Sequence, residues 1–162
     1  MTTTIRPATK ADTPALGRLG ALLVEVHHQF DPDRFIAPSS GTARGYGSFL
    51  SSQIGREGMV VLAADEGGVV VGYTYAGLEG KDWLTLRGPA GVIYDLMVDP
   101  EHRRQGLGRR LLTETIAALE GLGAPQVQLS TATPNATART LFESAGFRST
   151  LIEMTRESGG EQ

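Results

Sequence analysis

The chain has 162 residues, of which 40% are hydrophobic and 20% charged, and its formal net charge is −3. This composition is that of an ordinary globular protein, and it argues against a protein that coats nucleic acid, because such proteins usually carry a basic excess. The sequence has no cysteine, which excludes disulfides, thiolate metal sites and a cysteine nucleophile. The three histidines lack paired metal spacing, so we expect no metal.

The length predicts one domain over residues 1–162, with a frayed tail at 157–162. No apolar run approaches the ~20 residues that span a bilayer, and the N-terminus lacks the apolar core of a signal peptide. We therefore expect a cytoplasmic location with neither a membrane nor a nucleic acid as partner.

The first third of the chain predicts a strand followed by two helices. Residues 3–6 have the pattern of a short strand. Asp12 and Pro14 then mark a helix start, and apolar residues recur behind them at steps of three and four. A polar and aromatic loop over 27–41 leads to a second helix at roughly 42–56.

The middle of the chain changes to strand periodicity. Residues 59–66 and 69–79 are rich in β-branched residues, and the acidic residue and two glycines between them predict a hairpin. A loop over 80–90 contains the only tryptophan, Trp83. The apolar run at 92–98 then predicts a fourth strand.

The last third predicts alternating helices and strands. Apolar residues at helical spacing over 107–122 predict a helix, and alternation over 126–132 predicts a strand. A capped helix follows over 135–145, and residues 147–156 are predicted as a last strand. The order β-α-α-β-β-β-α-β-α-β indicates an α/β fold with a mixed sheet and helices on both faces.

A basic, glycine-bearing loop joins the fourth strand to the helix at 107–122. It includes the stretch 103–108, with the sequence RRQGLG, and is followed by two further arginines. A helix N-terminus offers unpaired N–H groups and partial positive charge, glycine allows close approach, and arginine binds phosphate. The loop therefore predicts a phosphate site.

Two segments resemble motifs of the GNAT family of N-acetyltransferases. The family's coenzyme motif Q/R-x-x-G-x-G/A is met by 103–108, after a V-D-P-E-H-R run. The segment NATARTLFESAGF at 135–147 is similar to the family's N-x-x-A-x-x-L-Y-x-x-x-G-F segment. The resemblance extends over the chain in element order and implies a GNAT-like acyl-CoA N-acyltransferase fold.

The resemblance implies transfer of acetyl from acetyl-CoA to an amine of a small molecule or a protein, without a metal, in a possible homodimer. It also implies a β-bulge around residues 95–97 that splays the fourth strand from the fifth. The residues that match coenzyme-binding positions are Leu96, Met97, Val98, Arg103, Arg104, Gln105, Gly106, Leu107, Gly108, Arg109, Asn135 and Phe142.

The catalytic candidates are Tyr94 and Asp95. Many relatives carry a glutamate base where Tyr94 stands and a tyrosine acid where Phe142 stands, so this chain departs from the family at both positions. Strand alternation sends Tyr94 and Asp95 to opposite faces unless a bulge redirects one of them. The candidates for binding the acceptor are His27, His28 and Trp83.

Several simpler interpretations remain open. Asn135 could only cap a helix, and Phe142 and Tyr94 could only pack in the core. The missing proton donor could be replaced by Tyr94, Ser130, Tyr73 or Tyr75. Proton removal could fall to a residue near the end of the first helix, namely Glu25, His27, His28 or Asp31. A second functional hypothesis is an acyl-CoA-binding regulator without turnover. A dinucleotide-binding domain is disfavoured, because Leu111 stands where the third glycine of G-x-G-x-x-G would be.

Overall fold

A computed structural model describes residues 2–159 and contains one mixed sheet with helices on both faces. The strands lie side by side in chain order; the first four are antiparallel to their neighbours and the fifth is parallel to the fourth. The strands are β1 (Thr3–Pro7), β2 (Met59–Glu66), β3 (Val69–Glu79), β4 (Ala90–Val98) and β5 (Val127–Leu129). The helices are α1 (Thr13–Phe30), α2 (Thr42–Gln53), α3 (Leu107–Gly121) and α4 (Ala136–Ser144).

The predicted order holds up to α4, and the bounds of β2 and β3 agree with the prediction. The predicted strand at 126–132 is reduced to three residues, because only residues 91–93 of β4 pair with it. Short 3-10 turns at 10–12 and 100–102 precede α1 and α3. None of the described helices has the length and apolar character needed to cross a membrane.

The prediction of a last strand at 147–156 is wrong for this sheet. Residues 148–157 belong to no helix or strand, and all of them are exposed. The segment instead lies with Glu153 against the loop after α1, where Arg34 Nε is 2.5 Å from Glu153 Oε1. Residues 157–159 of the predicted tail are exposed, and 160–162 lie outside the described residues.

The sheet lies between hydrophobic clusters, the two largest of which lie on its opposite faces; a third contains Leu107 and Leu111 of α3. On one face α1 and α2 pack against β2, β3 and β4, with Leu16, Leu19 and Tyr73 fully buried. On the other face α3 and α4 pack around Leu112 and Leu119. Two clusters on opposite faces hold the sheet as the middle layer, and the elements at the ends of β4 and β5 form the rim of a cavity.

Glycines bring α1 and α2 into close contact. A Cβ atom on Gly17 would lie 2.3 Å from the carbonyl oxygen of Ala43, and one on Gly20 would lie 2.3 Å from the ring of Tyr46. Glycine in a helix costs about 1 kcal/mol relative to alanine. Here that cost is offset by a close helix–helix approach that seats the Tyr46 ring against the backbone of α1.

We expect Gly20→Ala to destabilise the protein by about 1–3 kcal/mol through overpacking against Tyr46, even though alanine has the higher helix propensity. The matched control is Gly45→Ala on α2, where an added Cβ meets nothing within 4 Å. The control should gain up to about 1 kcal/mol. Thermal unfolding measures both, and an increase in Tm for Gly20→Ala would contradict the packing argument.

Candidate active site

A cavity of about 970 Å³ opens where β4 and β5 part. The two strands pair only as far as Ile93 and Leu129, so the main chain of β4 beyond Ile93 has no partner on its β5 side. The C-terminal part of α1, the start of α3 and the start of α4 close the remaining walls. The volume falls in the range of pockets that hold small organic ligands, about 300–1,000 Å³.

The start of α3 forms one end of this cavity. Gly106 precedes the helix with φ 76°, and Arg104 also adopts a positive φ of 65°, which is strained for a residue with a side chain. Gly106 provides no side-chain cap for α3, and Gly106, Leu107 and Gly108 line the cavity, so the first N–H groups of the helix lie at its wall. This geometry favours an anion, since the helix dipole adds positive charge at the same place.

Arginines surround this helix start. Arg103, Arg104 and Arg109 line the cavity, and the Arg109 side chain donates to Ser144 Oγ of α4 at 2.7 Å. Arg110 points elsewhere and donates to the carbonyl of Thr3 at 2.8 Å. Of the coenzyme residues predicted in 103–109, only Gln105 is not among the residues that line the cavity.

A bulge in β4 forms the middle of the cavity. Asp95 pairs with Tyr75 and Ile93 pairs with Ala76, which leaves Tyr94 as the extra residue. The bulge predicted around residues 95–97 therefore lies one residue earlier. Because the bulge adds one residue to β4, the usual alternation of side chains between the two faces of the sheet is interrupted. Tyr94 and Asp95 therefore both face α1 and α2.

The Asp95 carboxylate lies in a buried cluster of tyrosines. Its Oδ2 accepts hydrogen bonds from Tyr46 Oη of α2 at 2.5 Å and from Tyr73 Oη of β3 at 2.8 Å. Asp95 is only 8% exposed, yet it lines the cavity. Burial raises the pKa of Asp95 above its usual range, and the two hydroxyl donors oppose that increase by stabilising the ionised form.

Tyr94 makes a second, more open contact with a carboxylate. Its hydroxyl donates to Glu79 Oε2 of β3 at 2.5 Å, and Arg87 donates to the other oxygen at 3.0 Å. Burial and the neighbouring carboxylate raise the pKa of Tyr94, and the hydrogen bonds from Tyr94 and Arg87 lower the pKa of Glu79. At neutral pH Tyr94 is therefore a neutral hydroxyl, and Glu79 is ionised.

The remaining predicted residues separate into two groups. Leu96, Met97, Val98, Asn135 and Phe142 line the cavity together with His27. Asn135 also caps α4 by accepting from the Ala138 N–H at 3.1 Å, and Phe142 is also buried in the core. His28 and Trp83 are not among the cavity-lining residues, and Trp83 is 76% exposed.

Sequence reasoning missed Tyr46 and Glu79 as partners of the two catalytic candidates. Tyr46 lies 49 residues from Asp95 along the chain, and Glu79 lies 15 residues from Tyr94. The glycines of α1 carried a partial signal, because small residues on one helix face indicate close approach by another helix. The glycines alone do not identify which side chain of the second helix packs against them.

The comparison with protein families gives a match to the acetyltransferase (GNAT) family over residues 23–147. Mycothiol acetyltransferase of Thermobispora bispora is 37% identical over 95 residues, covering 56% of this chain and 30% of that protein. The [ribosomal protein bS18]-alanine N-acetyltransferase of Escherichia coli K12 is 42% identical over 61 residues, covering 38% of this chain and 41% of that protein. The chain thus matches less than half of the length of these two relatives.

A solved structure shares the fold. The PaiA N-acetyltransferase of Thermoplasma acidophilum, in complex with coenzyme A, superposes with a TM-score of 0.75 at 16% identity, covering 94% of each chain. This likeness supports the GNAT-like fold predicted from the sequence. Because the family match spans most of the chain, this protein belongs to the GNAT acetyltransferase family.

Proposed function

We propose that this chain is an N-acetyltransferase that moves the acetyl group of acetyl-CoA directly to an amine. One observation carries the proposal: a single cavity joins an anion-binding helix start at one end to the buried Asp95 carboxyl at a strand bulge. An anion site for the coenzyme and a proton acceptor for the amine are the two requirements of this reaction.

The residues present fit the coenzyme. The N–H groups at the start of α3, with Arg104 and Arg109 beside them, suit a pyrophosphate. The main chain of β4 beyond Ile93 has no β5 partner, so it can pair with the amide groups of a pantetheine arm as an added strand would. Acetyl-CoA supplies the activated acyl group as a thioester.

Asp95 is the group best suited to take the proton from a cationic amine. Its raised pKa brings it closer to the working pH than an ordinary carboxylate. Tyr94 is unsuited as a base because its pKa is raised, and it serves instead as a neutral hydroxyl that orients the acceptor. The neutral amine nitrogen then bonds to the acetyl carbon, the carbon–sulfur bond breaks, and the sulfur leaves as thiolate. The nitrogen gives up its second proton to the departing thiolate or to water as the amide forms.

Phe142 has no proton to give to that thiolate, and the chemistry does not strictly need one. A thiol has a pKa of about 8.5, so the thiolate is a competent leaving group near neutral pH. Tyr73 donates its hydroxyl to Asp95, and that bond does not provide a proton for the sulfur. We therefore assign the role of general acid to neither Phe142 nor Tyr73; the hydroxyl groups that line the cavity belong to residues such as Ser130 and Tyr94.

The acceptor we propose is an amine of a small molecule or of a protein. The similar proteins include a mycothiol acetyltransferase and a [ribosomal protein bS18]-alanine N-acetyltransferase. His27 lines the cavity beside the loop after α1 and is the best placed of the predicted acceptor-binding residues. The cytoplasmic location and the absence of a nucleic acid partner belong to the same proposal.

The coenzyme site is tested by Gly106→Asp. An aspartate there places a negative charge and a side chain at the helix start, and we expect the Kd for CoA in calorimetry to increase at least about tenfold. Gly123→Asp is the matched control, since Gly123 also has a positive φ (95°) and open space around it. Equal CoA affinities for the two variants would contradict the assignment.

The proton acceptor is tested by Asp95→Asn. We expect kcat to fall by about 10²–10⁴-fold, the usual contribution of a general base, with CoA affinity nearly unchanged. Tyr94→Phe should lower kcat more than it lowers CoA affinity.

Turnover is followed as thiol release from acetyl-CoA over an amine panel. CoA binding by the parent chain without thiol release for any amine would favour the regulator hypothesis.

The pH dependence is tested by Tyr46→Phe. The Tyr46 hydroxyl stabilises ionised Asp95, so its removal should raise the pKa of Asp95 further. Activity needs the ionised carboxylate, so the acid limb of the pH profile of kcat/KM should move to higher pH. Carbon NMR of the Asp95 carboxyl measures the same pKa without turnover. A limb that stays in place, or moves to lower pH, would exclude Asp95 as the titrating group.

A further inference from the structure

Acetyl transfer from acetyl-CoA to a cationic amine releases two protons, and one carboxylate takes only one of them. The amine loses its first proton before it attacks the thioester. Its nitrogen becomes cationic again on bonding to the acetyl carbon, and it loses a second proton as the amide forms. Asp95, which is buried, holds the first proton at that moment. The second proton therefore needs another acceptor.

Few of the cavity-lining side chains can accept a proton near neutral pH. The arginines stay protonated. Burial and the hydrogen bond to Glu79 raise the pKa of Tyr94, so its hydroxyl is a poor base. His102 lines the cavity at the coenzyme end, but its Nε2 lies 3.0 Å from Glu66 Oε2 and its Nδ1 is buried. Among the described cavity residues, this elimination leaves His27.

The backbone of α1 fixes which nitrogen of His27 carries a hydrogen. Its Nδ1 lies 2.8 Å from the carbonyl oxygen of Leu23, one turn earlier in the helix. A carbonyl only accepts hydrogen bonds, so Nδ1 is the donor and the lone pair of the neutral ring lies on Nε2. Within residues 2–159, Nε2 has no hydrogen-bond partner and is not buried, so it is open to the cavity that His27 lines.

Two aromatic rings hold the His27 ring in this orientation. Phe30 and Phe35 pack against it edge to face, with centroid distances of 5.8 Å and 5.1 Å. Together with the Nδ1 hydrogen bond, these contacts restrict rotation of the ring. The Nε2 lone pair is therefore preorganised, which is the requirement for a group that takes a proton during a reaction.

The charges around His27 suit a positive charge on its ring. Burial raises the pKa of Asp95 on β4, and the charge of His27 is among the effects that oppose the increase, so the two groups interact. In the loop after α1, the Asp31 N–H donates to the His27 carbonyl, and Arg34 is paired with Glu153. Acidic groups thus outnumber basic ones in this set, which favours the protonated ring.

We propose that His27 Nε2 accepts the second proton of the reaction, the one that the amine nitrogen loses after it has bonded to the acetyl carbon. The inference rests on the proposed acetyl transfer and gives that proton a protein acceptor in place of water or the thiolate. The N–H bond breaks toward Nε2 and leaves its electron pair on the amine nitrogen. The carbon–sulfur bond then breaks with its pair on sulfur. Asp95 and the imidazolium lose their protons before the next turnover.

The first test is His27→Gln in the full chain, assayed by thiol release over the amine panel. We expect kcat to fall at least about tenfold, with CoA affinity nearly unchanged. The acid limb of log kcat against pH should also lose one unit of slope, because one of the two groups that must be unprotonated has been removed. Loss of packing alone would not change that slope.

His28→Gln is the matched control. The Nδ1 of His28 also lies beside a carbonyl oxygen, that of Phe35 at 2.9 Å, but His28 does not line the cavity. This variant should keep the parent's kcat and slope. In His27→Ala, added imidazole should raise kcat with the concentration of its neutral form. Imidazole without effect on that variant would indicate a structural role and overturn the inference.

Nitrogen NMR of the labelled chain without substrate tests the geometry independently of turnover. Where the ring is neutral, we expect the Nδ1–H tautomer of His27. An Nε2–H tautomer, or His27→Gln with the parent's kcat and slope, would overturn the inference and leave the proposed function standing. A parent chain that binds CoA but releases no thiol with any amine would overturn both.

Discussion

The separation of β4 from β5 after three paired residues is the constraint on which the rest of the site depends. If β5 stayed paired beyond Ile93, its backbone would occupy the place of the cavity, and the main chain of β4 would have no groups left for a ligand. The bulge at Tyr94 lies at the point of separation. Bulges increase local twist and bend a strand, so one irregularity is consistent with both the opening and the new direction of Asp95.

The chemistry proposed for the site depends on how α1 and α2 pack against each other, on the face of the sheet toward which Asp95 is directed. Asp95 keeps a usable carboxylate in a buried place because Tyr46 and Tyr73 donate to it. Tyr46 reaches it only because α2 lies against the glycines of α1. Gly20 allows the Tyr46 ring to lie against α1, and the Tyr46 hydroxyl in turn affects the pKa of Asp95. Helix packing and proton affinity are coupled in this fold, so a change in the first should appear in the second.

Sequence periodicity predicted the hairpin of β2 and β3 to the residue. It also placed the basic glycine loop between a strand and a helix, because both features are local patterns. The partners of Asp95 and Tyr94 could not be predicted in the same way. The Tyr46–Asp95 contact joins residues 49 positions apart and depends on a helix contact and a bulge together. The predicted last strand failed for a related reason: a strand pattern states that a segment suits pairing, but not which edge it will pair with.

The chain departs from the family's usual residues at Tyr94 and at Phe142, and the two departures have different consequences. At Tyr94 the glutamate of many relatives is absent, but the bulge brings Asp95 to the same face, so a carboxylate is still supplied to the cavity from the adjacent position. At Phe142 the ring packs against Phe147 and the core around α3, and it carries no hydroxyl. The requirement that proton removal imposes on this fold is thus a carboxyl of suitable pKa within the cavity, whichever residue of β4 carries it. In the proposed reaction, departure of a thiolate imposes no comparable requirement, because a thiol has a pKa of about 8.5, so phenylalanine at 142 is compatible with that reaction.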